Sequence, residues 1–190
     1  DSKEYAKIGV NCGAEVPFIR PKNISTDTSS DYEFVYHAIN KFSEIEYSPK
    51  YIVHIRPTTP LRDPEIIDKA ISSFCKESHY HSLRSVHEMS ETSYKTFEIN
   101  DNVLTPLSFL RNKNIDTNAP RQDFPITYQA NGYVDVLRKD RIIQKKELHG
   151  SKIMPFITNT AQEVDSMEDF EYLEYLTSKS NNIFTKLFKD

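Results

Sequence analysis

Glycine is scarce in this chain. There are four in 190 residues, and Gly9, Gly13, Gly132 and Gly150 form no cluster. A loop that cradles phosphates through backbone amides usually needs several glycines close together, so the ordinary glycine-rich triphosphate loop is not within the chain. Cysteine is rarer still. Cys12 and Cys75 lie far apart without zinc-ligand spacing and read as two reduced, packed thiols of a cytoplasmic protein. No apolar run approaches the length that spans a bilayer, and no segment reads as a signal peptide. Positive charge is not in excess. The net charge is −4, which argues against a nucleic-acid partner. What remains is 37% hydrophobic and 27% charged, the composition of a globular domain with enough length to bury a core.

Strand-like and helix-like segments alternate, which argues for a layered α/β fold. Residues 2–12 read as a helix and Ala14–Phe18 as a strand. Thr28 or Ser29 can cap a helix over 30–45, with Phe34, Val35, Ala38, Ile39 and Phe42 on one face. Tyr51–Ile55 reads as a buried strand, and Asp63-Pro64 as the cap and first turn of the next helix. Leu83–Val86 is a further strand. The alternation then breaks. Tyr94–Ile99 and Val103–Leu107 flank the turn signal Asn100-Asp101-Asn102 and predict a hairpin within an inserted subdomain near 93–126. Tyr133–Leu137, a helix near 139–146, and short strands at Ile153–Ile157 and Gln162–Val164 follow. Ser166 with Asp169 opens a closing helix in the manner of a capping box. Phe170, Tyr172, Leu173 and Tyr175 read as its core-facing residues.

The chemistry-bearing residues are concentrated in a few places. YIVHIRPTTPLR, residues 51–62, runs a strand into a proline-punctuated turn that offers Arg56, Thr58, Thr59 and Arg62. Ligands of open α/β sheets sit at the carboxyl ends of strands, so cations and hydroxyls are expected there for an anionic ligand. Glu163-Val164-Asp165 on an extended chain points two carboxylates to one side. Hard oxygen donors of that kind suit magnesium; the alternative is a solvated strand end. Arg121, between Pro120 and Pro125, can present a planar fork to a carboxylate, or lie on the surface. The hydroxyl-rich run Asp27–Ser30 marks a helix N-terminus that can attract anions or simply cap the helix. The six histidines show no convincing ligand spacing.

These segments, in this order, resemble the acylneuraminate cytidylyltransferases. RPTTPLR resembles that family's QPTSPLR, with Arg56 where glutamine is usual. EVDSMEDF resembles its late D-x-D-S/T-x-x-D-F/L motif, with Glu163 for the first aspartate. APRQDFP and YQANG resemble its PRQ…RxNG region, where Gln129 replaces a common arginine and Asp135 stands where tyrosine is often found. The resemblance implies a Rossmann-like nucleotidyltransferase fold of the nucleotide-diphospho-sugar transferase type: three layers in a single domain over 1–190, with a dimerising hairpin inserted and the first strand and loop missing. Roughly fifty residues carrying the family's ARxGSKxxxxKN loop would then precede Asp1. Either the chain is a fragment or the loop has been lost.

The resemblance also assigns roles. Glu163, Asp165 and Arg56 become catalytic, with Glu163 and Asp165 holding Mg²⁺. Arg121, Lys95, Gln129 and Asn131 fall on the sugar-acid side, and Arg20, Ser29 and Asp31 on the nucleotide side. The implied reaction joins CMP from CTP to a nine-carbon 2-keto sugar acid, of legionaminic rather than N-acetylneuraminic type, in a cytoplasmic homodimer. Two alternatives stand beside it: a truncated, non-catalytic dimerising or sugar-binding domain, and a metal-dependent glycosyltransferase.

Overall fold

The computed structural model describes residues 1–107 and 116–179. Residues 108–115 of the expected insert lie outside that range. The fold is mixed α/β. Helix α1 (Lys3–Asn11) and helix α2 (Asp31–Glu44) precede strand β1 (Tyr51–His54) and helix α3 (Pro64–Cys75). Strand β2 (Ser82–Glu88) leads to the short strands β3 (Phe97–Asn100) and β4 (Val103–Pro106). The long β5 (Tyr128–Arg138), helix α4 (Lys139–Lys145), strand β6 (Ile153–Ile157) and helix α5 (Met167–Lys179) complete the order. Four strands form one sheet in the order β1-β5-β2-β6, so the chain crosses over between neighbours rather than meandering.

The hairpin stands apart as its own two-stranded antiparallel sheet, with Ile99 opposite Leu104 and Phe97 opposite Pro106. Asp101 and Asn102 both have positive φ. Two-residue hairpin turns need that conformation, and Asn and Asp tolerate it better than most residues. The interruption of the alternation predicted from sequence is therefore a real hairpin.

The chain forms two compact units. One comprises Asp1–His54, Ile71–Leu83 and Val136–Met154; the other comprises Ile55–Ala70, Arg84–Asp135 and Pro155–Asp190. In the first unit, Val35 and Ile39 of α2 pack with Leu137 and Ile142, and Ile52 and Leu148 pad the cluster. The spacing of Val35 and Ile39 places them on one helical face, as the sequence implied. Arg138 locks the same unit: its guanidinium stacks on Tyr51 and Phe74 and donates to the carbonyls of Tyr80 and Glu77.

Several expectations need correction. Ala14–Phe18 forms no strand. Its backbone joins no ladder, and Phe18 instead packs edge-on against His37 and Phe42. The cap of α2 is Ser30, neither Thr28 nor Ser29; its hydroxyl accepts from Glu33 N while Glu33 reaches back to Ser30 N. That reciprocal box satisfies two otherwise unpaired N–H groups and outcompetes the earlier hydroxyls. Gln162–Val164 makes one cross-chain bond, Val164 N to Thr58 O, rather than a strand. Both cysteines are free, but exposed rather than packed. Of the aromatic-rich stripe on α5, Leu173 is buried whereas Phe170, Tyr172 and Tyr175 are exposed. No helix among the described residues is long and apolar enough to cross a membrane.

Candidate active site

The loop after β1 is shaped by its prolines and by one inward-turned arginine. Pro57 and Pro60 cannot donate to a sheet ladder, so the chain leaves extended structure and folds on itself, Thr59 N bonding Arg56 O. Arg62 then turns back into the protein. Its Nε donates to Tyr133 O at 2.7 Å, and its Nη2 donates to Gly132 O at 3.0 Å and to Arg56 O. Burial pushes this guanidinium below its usual pKa, and the nearby Tyr133 and Glu163 act in the opposite direction. It remains charged, as arginine does in proteins. Arg62 therefore holds backbone in place and is not offered to a ligand as the turn had suggested.

The segment it grips belongs to β5. Asn131 is buried; its Nδ2 donates to Thr158 Oγ1 at 2.7 Å and its Oδ1 accepts from Tyr133 N. Both ends of the amide are thus committed to positioning the backbone around Gly132. Tyr133 closes the loop from the other side by accepting from Asp63 N, and burial raises the pKa of its hydroxyl. Gly132 has φ +62°, and a Cβ there would stand 3.2 Å from Glu163 Oε1 and 3.2 Å from Thr59 Oγ1. Any side chain at 132 would be both strained and crowded against these two oxygens, so the position calls for glycine.

Charge is concentrated beside it. Asp135 is 1% exposed and lies between two arginines: Arg56 Nη1 at 3.3 Å from Oδ2, and Arg84 Nε at 3.8 Å from Oδ1. The sequence flagged Arg56 and Asp135 separately; the structure makes them one ion pair. Opposite signs at two positions were the available signal, but their contact spans 79 residues. Arg84 was missed altogether.

Glu163 and Asp165 are exposed on either side of half-buried Val164, whose N–H donates to Thr58 O at 2.8 Å. One anchor thus ties the E-x-D segment to the proline loop. Behind it, Asp169 Oδ2 accepts from the backbone of Asp165 and Ser166 and from the Ser166 hydroxyl. Those bonds lower its pKa, the Ser166 side chain contributing most. Among the described residues, no group of three or more His, Cys, Asp or Glu side chains is placed to hold a metal. Two exposed carboxylates completed by substrate phosphates fit Mg²⁺, which keeps waters and rarely occupies an all-protein cage.

In the same unit a cavity of about 410 Å³ is lined by Glu88, Met89, Thr92, Arg121, Phe124 and Thr127. Arg121 donates to Met89 O at 3.2 Å and sits 3.8 Å from Glu88, and among the described residues most of its five donors have no further partner. Lys95 Nζ lies 5.4 Å above the ring of Phe124, which stacks on Tyr94. Phe124 thus lines the cavity that Arg121 borders and lies beneath Lys95, while Gln129 is exposed at the start of β5. The nucleotide-side candidates belong to the other unit. Arg20 pairs with Asp1 at 3.0 Å and stacks on Phe34, Ser29 accepts from Thr26 N, and Asp31 opens α2.

The fold matches a solved structure, CMP-2-keto-3-deoxy-manno-octonic acid synthetase complexed with CTP, with a TM-score of 0.65 and 12% identity over 94% of this chain and 78% of that one. The chain therefore shares the fold of that structure. No protein-family model matches. By sequence the chain is 28% identical to the CMP-N,N′-diacetyllegionaminic acid synthase of Legionella pneumophila, over 93% of this chain and 75% of that protein. It is 24% identical to the N-acylneuraminate cytidylyltransferase of Escherichia coli, over 100% of this chain and 43% of that protein. The resemblance read from the motifs is borne out: along nearly its whole length this chain is similar to acylneuraminate-type cytidylyltransferases.

Proposed function

We propose that the chain is the catalytic domain of a CMP-nonulosonate synthetase acting on a legionaminic-type sugar acid. The observation that carries this reading is the E-x-D segment fastened through Val164 to the proline loop, in the same unit as the cavity that holds Arg121. A C2 hydroxyl of the sugar acid attacks the α-phosphorus of CTP. One P–O bond forms, the α–β P–O bond breaks, pyrophosphate leaves, and the hydroxyl proton passes to a base. Such transfers depend on positioning and charge stabilisation more than on covalent chemistry. Magnesium, when bound, would offset charge on the phosphates.

The protein's own groups do the rest. Glu163 and Asp165 would hold that ion. Arg121 and Lys95 grip the substrate carboxylate at the Phe124 cavity, and Gln129 borders the sugar side. Asn131 sets the backbone of that wall. Arg56, steered by Asp135, supplies fixed positive charge beside the reacting groups. Arg20, Ser29 and Asp31 serve the nucleotide. The β3–β4 hairpin offers Phe97, Ile99 and Leu104 to a second copy.

Pyrophosphate release from CTP and Mg²⁺ with N,N′-diacetyllegionaminic acid, N-acetylneuraminic acid or pseudaminic acid tests this reading. Release is expected with a nonulosonic acid and not with CTP alone, and fastest with the legionaminic compound. No binding and no release with any of the three overturns it.

A further inference from the structure

The cavity beside Arg121 carries one charge of each sign. Glu88, at the end of β2, and Arg121 both line it, and their charged groups stand 3.8 Å apart with about half of each side chain exposed. That separation is too long for a hydrogen bond, and an exposed pair of this kind contributes little to stability. Little is lost when a ligand enters between its members. The backbone beneath both is fixed: Met89 N donates to Thr127 O, and Met89 O accepts from Arg121 Nη2. Two hydroxyls of the wall already serve that frame, Thr127 Oγ1 accepting from Ser93 N and Thr92 Oγ1 from Tyr94 N. Among the described lining residues Glu88 is the one carboxylate. We propose that Glu88 accepts a hydrogen bond from a hydroxyl on the carbon that bears the ligand's carboxylate, so that the cavity selects a 2-hydroxy acid. The proposal rests on the reading of the chain as a sugar-acid cytidylyltransferase and adds Glu88 to it as a specificity residue.

The two charges together select the occupant. Arg121 attracts an anion, and a guanidinium fork suits a carboxylate. Glu88 repels the same anion unless the ligand also brings a donor to lie beside it, because a carboxylate only accepts. A hydroxyl on the carbon bearing the carboxylate stands next to it by covalent connectivity alone. The ring form of a 2-keto sugar acid has that hydroxyl, and it is the group that attacks the α-phosphorus in the function proposed above. A fully ionised phosphate brings no donor, so Glu88 also disfavours the triphosphate of CTP in this cavity. Selectivity thus comes from a repulsive element as well as an attractive one.

The test compares N,N′-diacetyllegionaminic acid with its 2-deoxy analogue, which keeps the carboxylate and lacks the hydroxyl. Both are titrated calorimetrically into the parent, Glu88→Gln and Glu88→Leu, with CDP in place of CTP so that no transfer occurs. The parent should bind the hydroxy acid about ten- to a hundredfold more tightly than the deoxy acid, the worth of a hydrogen bond to a charged group. Glu88→Leu removes the acceptor, and its preference should fall to within about threefold. Glu88→Gln keeps one acceptor oxygen without the charge, and should retain part of the preference. The deoxy acid should bind Glu88→Leu at least as tightly as it binds the parent, because the like charge is gone. Thermal unfolding should be the same for all three proteins, since Glu88 is half-exposed. An equal preference in the parent and Glu88→Leu overturns the proposal, as does a parent that binds both acids equally; in either case the functional reading stands. A parent that binds neither acid overturns that reading, and the proposal with it.

Discussion

Two arginines six positions apart in one loop do opposite work: Arg56 faces a carboxylate, and Arg62 faces carbonyls. Arg62 is 9% exposed and donates to three backbone oxygens. Lysine cannot reproduce that fork, so Arg62→Lys should cost about 2–3 kcal/mol of stability in urea unfolding. Arg121 is largely exposed with one backbone contact. Arg121→Ala should leave stability unchanged and raise the sugar-acid KM by about ten- to a hundredfold, the worth of a charge-assisted pair. Equal effects of the two changes on stability would refute this division. The Arg56–Asp135 pair is a separate matter. Asp135→Asn leaves Arg56 and Arg84 without their shared counter-charge, whereas Arg56→Gln with Asp135→Asn leaves less imbalance. The double change should therefore cost less than the sum of the single ones, with a coupling of about 1–3 kcal/mol. Strict additivity in denaturant unfolding would show that the two side chains do not support one another.

At the scale of elements, caps decide where helices begin. Helix α5 starts behind Ser166 and Asp169, which satisfy each other's backbone N–H groups. The folded-state pKa of Asp169 is lowered, first by the Ser166 hydroxyl and then by the backbone donors. Its contribution is therefore complete above the ordinary aspartate pKa and is lost as pH falls through the depressed folded value. Thermal unfolding followed from pH 6 down to pH 2.5 should show a lower melting temperature at the acid end. Asp169→Asn should flatten part of that slope and lower stability near neutrality. A slope identical to that of the parent would exclude Asp169 as its source. The same segment anchors Asp165 N, so the cap also fixes the backbone of a proposed metal ligand.

At the scale of the whole molecule, the sugar-side and metal-side candidates all lie in one compact unit, and Arg20, Ser29 and Asp31 lie in the other. The hairpin offers a further surface. Ile99 is 72% exposed and Leu104 60% exposed, directly opposite one another on one face with Phe97 and Pro106. A two-stranded hairpin is too small to bury such a face itself. A two-fold pairing through this face is expected to give a homodimer by light scattering at tens of micromolar. Ile99→Lys with Leu104→Lys should convert it to a monomer that still unfolds cooperatively. A monomer before substitution, or a dimer unaffected by it, would place the interface elsewhere or remove it.

The sequence alone determined what depends on neighbours along the chain. Apolar periodicity located α2, the Asp63-Pro64 cap located α3, and apolar runs marked β1, β2 and the β3–β4 hairpin; Asp101-Asn102 specified a turn with two positive φ angles; Ser166 and Asp169 set the start of α5. The motif order also carried the family relationship. Tertiary structure decided whatever depends on distant partners. Ala14–Phe18 has strand-like residues but no ladder, because a strand exists only where another backbone completes its hydrogen bonds. Arg62 looked like a ligand cation until three carbonyls, two of them some seventy residues away, captured its donors. Arg56 and Asp135 became one ion pair only when β5 reached the loop. The crowding around Gly132, where a Cβ would meet Glu163 and Thr59, has no sequence signature, because those neighbours lie distant along the chain and only the fold brings them there.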